Sequence, residues 1–181
     1  MTRLPTRRAV CLRAAALVLL PWPHAVFAAP NGLTEVEPGQ IASQPLFAAL
    51  LTDLEGRPAP LVARAGGAPM IVNFWARWCA PCRVEIPELV ALRERHPGVQ
   101  VVGINIEANP EPVRDFARAY EIDYPVRMAP KGGLELMRAV GNPKAGLPFT
   151  LALDRQQRIV ALRLGVLTRD QLEAAVQRAS A

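Results

Sequence analysis

Cysteine is scarce in this chain: there are three in 181 residues, at positions 11, 79 and 82. A disulfide-stapled mini-protein is therefore excluded, and the length suffices for a hydrophobic core without covalent help. Histidine is scarcer still, with only His24 and His96. A structural zinc takes about four ligands; one CxxC supplies two, and no second CxxC exists. A basic stripe is also missing. The 21 Lys and Arg outnumber the 16 Asp and Glu, but Arg3, Arg7, Arg8 and Arg13 fall in the first 28 residues, which hold no acid. Removing those four leaves 17 against 16, so the remainder is nearly neutral and a nucleic-acid function has no electrostatic footing. Internal repeats and low-complexity segments are absent, and 51% hydrophobic with 20% charged residues is a globular composition.

What is present begins with an export layout. Residues 1–28 run from a basic start through "AAALVLL" (Ala14 to Leu20) to a small-residue exit at "VFA". The apolar run is far shorter than the ~20 residues of a membrane span, and Pro21, Pro23 and His24 interrupt its continuation. The pattern predicts a secretory signal cleaved after Ala28, with an uncleaved anchor as the alternative. "TRR" at Thr6 to Arg8 is a faint twin-arginine cue and does not choose the export route. Cys11 precedes the apolar run and leaves with the signal, so every remaining thiol sits at Cys79 and Cys82. Residues 29–45 are rich in Pro, Gly and polar groups and read as an extended lead-in; residues 46–181 read as the folded domain.

Within that domain, "LFAALLTDLEGRPAPL" predicts an edge hairpin turning at Glu55 and Gly56, since Pro58 and Pro60 are tolerated only at a sheet edge. "MIVNFW" (Met70 to Trp75) is nearly continuous and apolar, as a strand buried on both faces requires. "APCRVEIPELVALRERH" has helical spacing, with Pro81 near its start and Pro87 inside it. "VQVVGINI" is a second buried strand. "PEPVRDFARAYEI" predicts a helix carrying Val113, Phe116 and Tyr120 on one side. A short strand "YPVRM", a short helix closed by Gly141, and two strands "FTLALD" and "RIVALRLG" follow. The last helix starts at Thr168 with Gln171 in capping-box register. Helix-connected buried strands followed by a hairpin predict a three-layer α/β/α architecture with a central mixed sheet and an added N-terminal β-hairpin.

Cys79 and Cys82 fall where a buried strand ends and a helix begins, at the carboxyl edge of the sheet. Residues three apart on a helix have β-carbons ~5–6 Å apart, close to disulfide reach. Free N–H groups at a helix start stabilise a thiolate. These arguments favour a reversible redox pair, with Cys79 outward as nucleophile and Cys82 behind it as the resolving thiol. A structural staple closing so small a loop restrains the unfolded chain little. Copper(I) capture by two thiolates stays open chemically, although Met70 and Met137 read as core residues and no His lies near the motif.

"VNFWARWCAPCRVEIPEL", with "VQVVGINIEANPEPVRDFARAYEIDYPV" and "GLPFTLALDRQQRIVALRLG", resembles the thioredoxin superfamily, specifically its exported branch typified by TlpA, ResA and CcmG. The resemblance covers about residues 45 to 178 and implies the thioredoxin fold, no cofactor beyond a reversible Cys79–Cys82 disulfide, and no metal. It makes Pro148 a cis-proline facing the disulfide, gives Trp78, Ala80, Pro81 and Leu147 to substrate binding, and lets the backbone at Leu147 and Pro148 pair with an extended substrate segment by strand addition. It matches Glu85 to an acid close to the active-site thiols, able to relay protons and raise a thiol pKa, the alternative being a solvated helix glutamate. Arg77 and Arg83 read as solvated surface charges. Asn73 stands where thioredoxin has a buried aspartate, and Phe149, where smaller or polar residues are common, bears on the shape of the substrate groove.

The implied activity is that of a periplasmic thiol–disulfide oxidoreductase reducing specific protein disulfides, with apo-cytochrome c or copper-site proteins as targets and a membrane thiol–disulfide donor to reset it. The competing readings are a disulfide oxidase or isomerase, and a copper(I)-binding metallochaperone. A DsbA-like protein needs an inserted helical domain for which the short connections leave no room. A peroxidase needs a lone cysteine in a Thr/Ser-rich loop, which is absent.

Overall fold

The computed structural model describes residues 32–61 and 67–181. The expected signal, residues 1–28, lies outside the described residues. In chain order the elements are β1 (Thr34–Glu35), α1 (Gln44–Ala48), β2 (Met70–Trp75), α2 (Ala80–Arg95), β3 (Gln100–Asn105), α3 (Pro110–Ala119), β4 (Val126–Met128), α4 (Gly133–Ala139), β5 (Phe149–Leu153), β6 (Ile159–Leu164) and α5 (Arg169–Ser180).

Six strands form one sheet in the order β1-β6-β5-β2-β3-β4. β2, β3 and β4 run parallel, each joined to the next by a helix that crosses over the sheet, while β5 lies antiparallel to β2 and pairs antiparallel with β6. β2 is central and every one of its residues is buried, which is why its sequence is apolar without alternation. Its odd and even positions nevertheless meet different partners. Met70, Val72 and Phe74 pack with Leu136, Met137 and Val140 of the α4 region and with Phe149 and Leu151. Ile71 packs with Leu89 and Leu92 of α2 and with Leu172 and Val176 of α5, and Trp75 packs with Ile86 and Val113. At ~1.5–3 kcal/mol for each large side chain removed from water, these two layers supply most of the drive to fold.

The terminal helices are held as their sequences imply. Thr168 caps α5 in a complete capping box with Gln171, and Glu173 ties α5 to α2 by accepting from Arg95 Nε at 2.8 Å and pairing with His96 Nε2 at 2.6 Å. α2 runs unbroken through Pro87. Gly103 of β3 is required by its neighbours, since a Cβ there would lie 2.8 Å from Trp75 Nε1 and 3.1 Å from Tyr124 Cε2.

The N-terminal region departs from expectation. The hairpin is reduced to a tight turn, with a single bridge from Thr52 to Pro58 and a second from Thr52 to Met128 that docks it on the sheet edge at β4. The apolar run before it is not a strand but the short helix α1, started by Pro45, whose fixed φ suits a first helical turn, and anchored by the buried Leu46. Nor is the lead-in separate from the domain: β1 pairs with β6, and Leu33 and Val36 are buried in the core. Residues too few to be read as a strand still pair, because the edge of β6 is open to them and Leu33 and Val36 join the two core layers.

Candidate active site

The redox motif occupies the junction between β2 and α2. Cys79 is the N-cap of α2, and its Sγ accepts the Cys82 N–H at 3.2 Å, so the sulfur sits where a helix offers its unpaired donors. Cys79 and Cys82 form a disulfide with their Cα atoms 5.3 Å apart. Cys82 is wholly buried; Cys79 is 5% exposed, so the outward cysteine is less open than its place at the helix start implied. Ala80 and Pro81, between them, are exposed. Trp78 is 67% exposed and is not a core aromatic; it stands out beside the disulfide, available to a partner.

The loop containing Cys79 is clamped from β3. Glu107 accepts the Arg77 backbone N–H at 2.8 Å and pairs with the Arg77 guanidinium at 3.1 Å, and its own N–H donates to the buried Asn105 Oδ1 at 2.8 Å. Arg77 is thus not a free surface charge. Arg83 is exposed, as expected.

The antiparallel register sets Phe149 opposite Phe74, which places Pro148 beside the end of β2 where the motif begins. The Leu147–Pro148 peptide is cis. Leu147 is half-buried and packs against the cluster that holds both cysteines. The Pro148 carbonyl is taken by the Gly165 N–H at 2.9 Å. Of the two residues expected to pair with a substrate strand, Pro148 therefore has its carbonyl engaged within the fold. Phe149 does not shape the groove: it is buried against Phe74, ring centroids 5.8 Å apart, on the face of the sheet away from α2.

Below the disulfide lies a buried polar group. Glu85, one turn after Cys82 on α2, is 1% exposed. Its Oε1 accepts from Asn73 Nδ2 at 2.6 Å and its Oε2 from the Leu167 N–H at 3.0 Å. Burial pushes its pKa up to about 7, against the lowering effect of those two hydrogen bonds. Asn73 Nδ2 also donates to Thr150 Oγ1 at 2.9 Å. Tyr124 is buried nearby, and burial, then the charges of Glu85 and Asp123, push its phenol well above the ordinary range. A solvated helix glutamate is therefore the wrong description of Glu85. Thr150, Leu167, Glu107 and Tyr124 were not singled out from the sequence. Thr150 alone had a usable signal, as the one polar residue in "FTLAL". Among the described residues no three His, Cys, Asp or Glu side chains gather as a metal site requires.

A mixed sheet with helices on both faces, a CxxC disulfide capping the first long helix and a cis X–Pro bond at the adjoining strand define a thioredoxin-fold redox protein. The family model described as Redoxin matches residues 39–177. The thiol:disulfide interchange protein HelX of Rhodobacter capsulatus is 33% identical over 144 residues, covering 79% of this chain and 74% of that one. The thiol-disulfide oxidoreductase ResA of Bacillus cereus is 29% identical over 132 residues, covering 71% and 73%. The crystal structure of StoA from Bacillus subtilis superposes with a TM-score of 0.56 at 28% identity, covering 70% of this chain and 93% of that one. The chain belongs to the Redoxin family of the thioredoxin superfamily, as a thiol–disulfide oxidoreductase of the TlpA, ResA and CcmG kind.

Proposed function

We propose that this protein is an exported, periplasmic reductant of specific protein disulfides, of the type that prepares apo-cytochrome c or copper-site proteins, and that a membrane thiol–disulfide donor resets it. The Cys79 thiolate attacks one sulfur of the target disulfide and expels the other as a thiolate, which takes up a proton. Cys82 then attacks the Cys79 sulfur, its proton passing to Glu85, and the target leaves with both cysteines reduced. Two electrons have moved, and the Cys79–Cys82 disulfide holds the oxidising equivalent. No cofactor enters this cycle. Trp78, Ala80, Pro81 and the Leu147 backbone serve as the docking rim, and Pro148 holds that rim against the disulfide.

The observation that carries the direction is the buried Glu85 three residues after Cys82, with Arg77 engaged by Glu107. Strong oxidants of this fold owe their power to a stabilised thiolate. Here a buried acid disfavours a neighbouring thiolate by like-charge repulsion, and the nearby cation that would offset it is already paired. The reduced form is thereby less stabilised, which favours giving electrons to a target. Export rests on the basic start, apolar run and small-residue exit of residues 1–28.

The test is to express Cys82→Ser in the native compartment and identify what stays attached to Cys79. One or two cytochrome or copper-site proteins are expected. A broad collection of secreted proteins would instead mark a general oxidase or isomerase, and tight stoichiometric copper(I) binding by the reduced wild type together with failure to reduce insulin would mark a metallochaperone.

A further inference from the structure

Among the described residues, the atoms that hydrogen-bond to the Glu85 carboxyl group are both donors: Asn73 Nδ2 on one oxygen and the Leu167 N–H on the other. That set suits a carboxylate, which only accepts. A neutral carboxylic acid carries an O–H and needs an acceptor. Asn73 Oδ1 is buried and has no hydrogen-bond partner among the described residues. Asn73 Nδ2 stands between Glu85 and Thr150, donating to both. A hydroxyl such as that of Thr150 donates as readily as it accepts.

We propose that the Asn73 carboxamide turns over when Glu85 gains or loses a proton, presenting its N–H groups to Glu85 and Thr150 in one state and its carbonyl oxygen to both in the other. With Glu85 ionised, Nδ2 donates twice and Thr150 accepts. With Glu85 neutral, Oδ1 accepts from the acid O–H and from the Thr150 hydroxyl, while the Leu167 N–H stays on the second carboxyl oxygen. No atom in the bonded set among Glu85, Asn73 and Thr150 is then a donor facing a donor. Asn73 and Thr150 are positioning residues in this scheme: they touch neither thiol, and they let a buried acid hold a proton near neutral pH.

The inference rests on the reading above that Glu85 receives the Cys82 proton, and it gives a reason why an amide suits position 73. An aspartate there would be a second buried acid competing for the same proton. The remaining titratable groups around Glu85 leave its titration isolated in the oxidised protein. Cys79 and Cys82 are joined and do not titrate. The Tyr124 phenol is held neutral by burial, and Asp123 beside it is paired with Arg93 at 2.5 Å. Arg163, cross-strand from Thr150, donates to the Gly32 carbonyl. α5 brings Leu172, Ala175 and Val176 to this layer, none of which titrates.

The test is solution NMR of the oxidised full chain, following the Glu85 carboxyl carbon and the Asn73 side-chain amide from about two pH units below to about two above the Glu85 midpoint near 7. Contacts between the Asn73 amide protons and the Thr150 methyl group are expected on the alkaline side, and their loss on the acid side with the midpoint of the Glu85 carboxyl. In Glu85→Gln the Leu167 N–H requires the new side-chain oxygen, which turns its nitrogen toward Asn73; that variant is expected to show the acid-side pattern at every pH. Contacts that persist unchanged through the Glu85 midpoint, or an alkaline pattern in Glu85→Gln, would overturn the proposal. The wild-type titration decides the matter even if the variant does not fold. No turnover is measured, so failure here leaves the proton-relay reading standing. That reading fails separately if Glu85→Gln releases a target from Cys79 at the wild-type rate and with the wild-type pH profile.

Discussion

The two faces of the central sheet are built from the same strands and do different work. On the face covered by α1 and α4, β2 and β5 present only Met70, Val72, Phe74, Phe149, Leu151 and Leu153. On the face covered by α2, α3 and α5, the same strands interleave Ile71, Trp75 and Ala152 with Asn73 and Thr150, and α2 adds Glu85 and the cysteines. On one face the strands contribute only area removed from water. The other gives up some of that stabilisation to hold a buried titratable group on the helix that carries the cysteines. Stability and chemistry are separated by nothing more than the two-residue period of a strand.

The largest change in stability should come from the apolar face. Phe74→Ala removes a ring packed on Phe149 and should cost about 3–5 kcal/mol, seen as a lower urea midpoint. The reduction potential of Cys79–Cys82 in the folded fraction should stay unchanged; a shifted potential would break the separation of the two faces.

A slightly smaller effect, and one confined to a pH window, belongs to the other face. Glu85 binds its proton more tightly folded, near pH 7, than its ordinary value of 4.5. Between those values the native state holds a proton that the unfolded chain has released, so stability falls as pH rises through the window. The linked difference is about 3 kcal/mol, present below pH 4.5 and lost above 7. Urea melts of the oxidised protein should show this slope, and Glu85→Gln should remove it.

The smallest effect lies at the rim, where neither face dominates. Glu107→Gln keeps the shape of the Arg77 clamp and loses its charge, and with Arg77 partly exposed the cost should be about 1 kcal/mol. The readout is hydrogen exchange of the Arg77 amide, expected to quicken roughly fivefold with little change in global stability.

Several of these residues were plain in the sequence and others were not, for physical reasons. β2 was legible because both its faces are buried, and α5 because Thr168 and Gln171 sign its start. The cysteine pair was legible from spacing and placement. The N-terminal region was misread because α1 and β1 are five and two residues long, too short for any period to show; packing, not local preference, forms them. Trp78 follows a buried strand, where an aromatic is ordinarily core; its 67% exposure is decided by the turn after Ala76 and not by local pattern.

By itself, the sequence determined the strand–helix order from β2 onward, the buried central strand and the redox pair at its end, because each is written in neighbouring residues. Only the tertiary structure decided what Glu85 is. Its partners come from positions 12 and 82 residues away, and its burial is completed by elements that no local pattern connects. A carboxyl group has its pKa raised to about 7 through what surrounds it, and those surroundings exist only once the chain has closed over them.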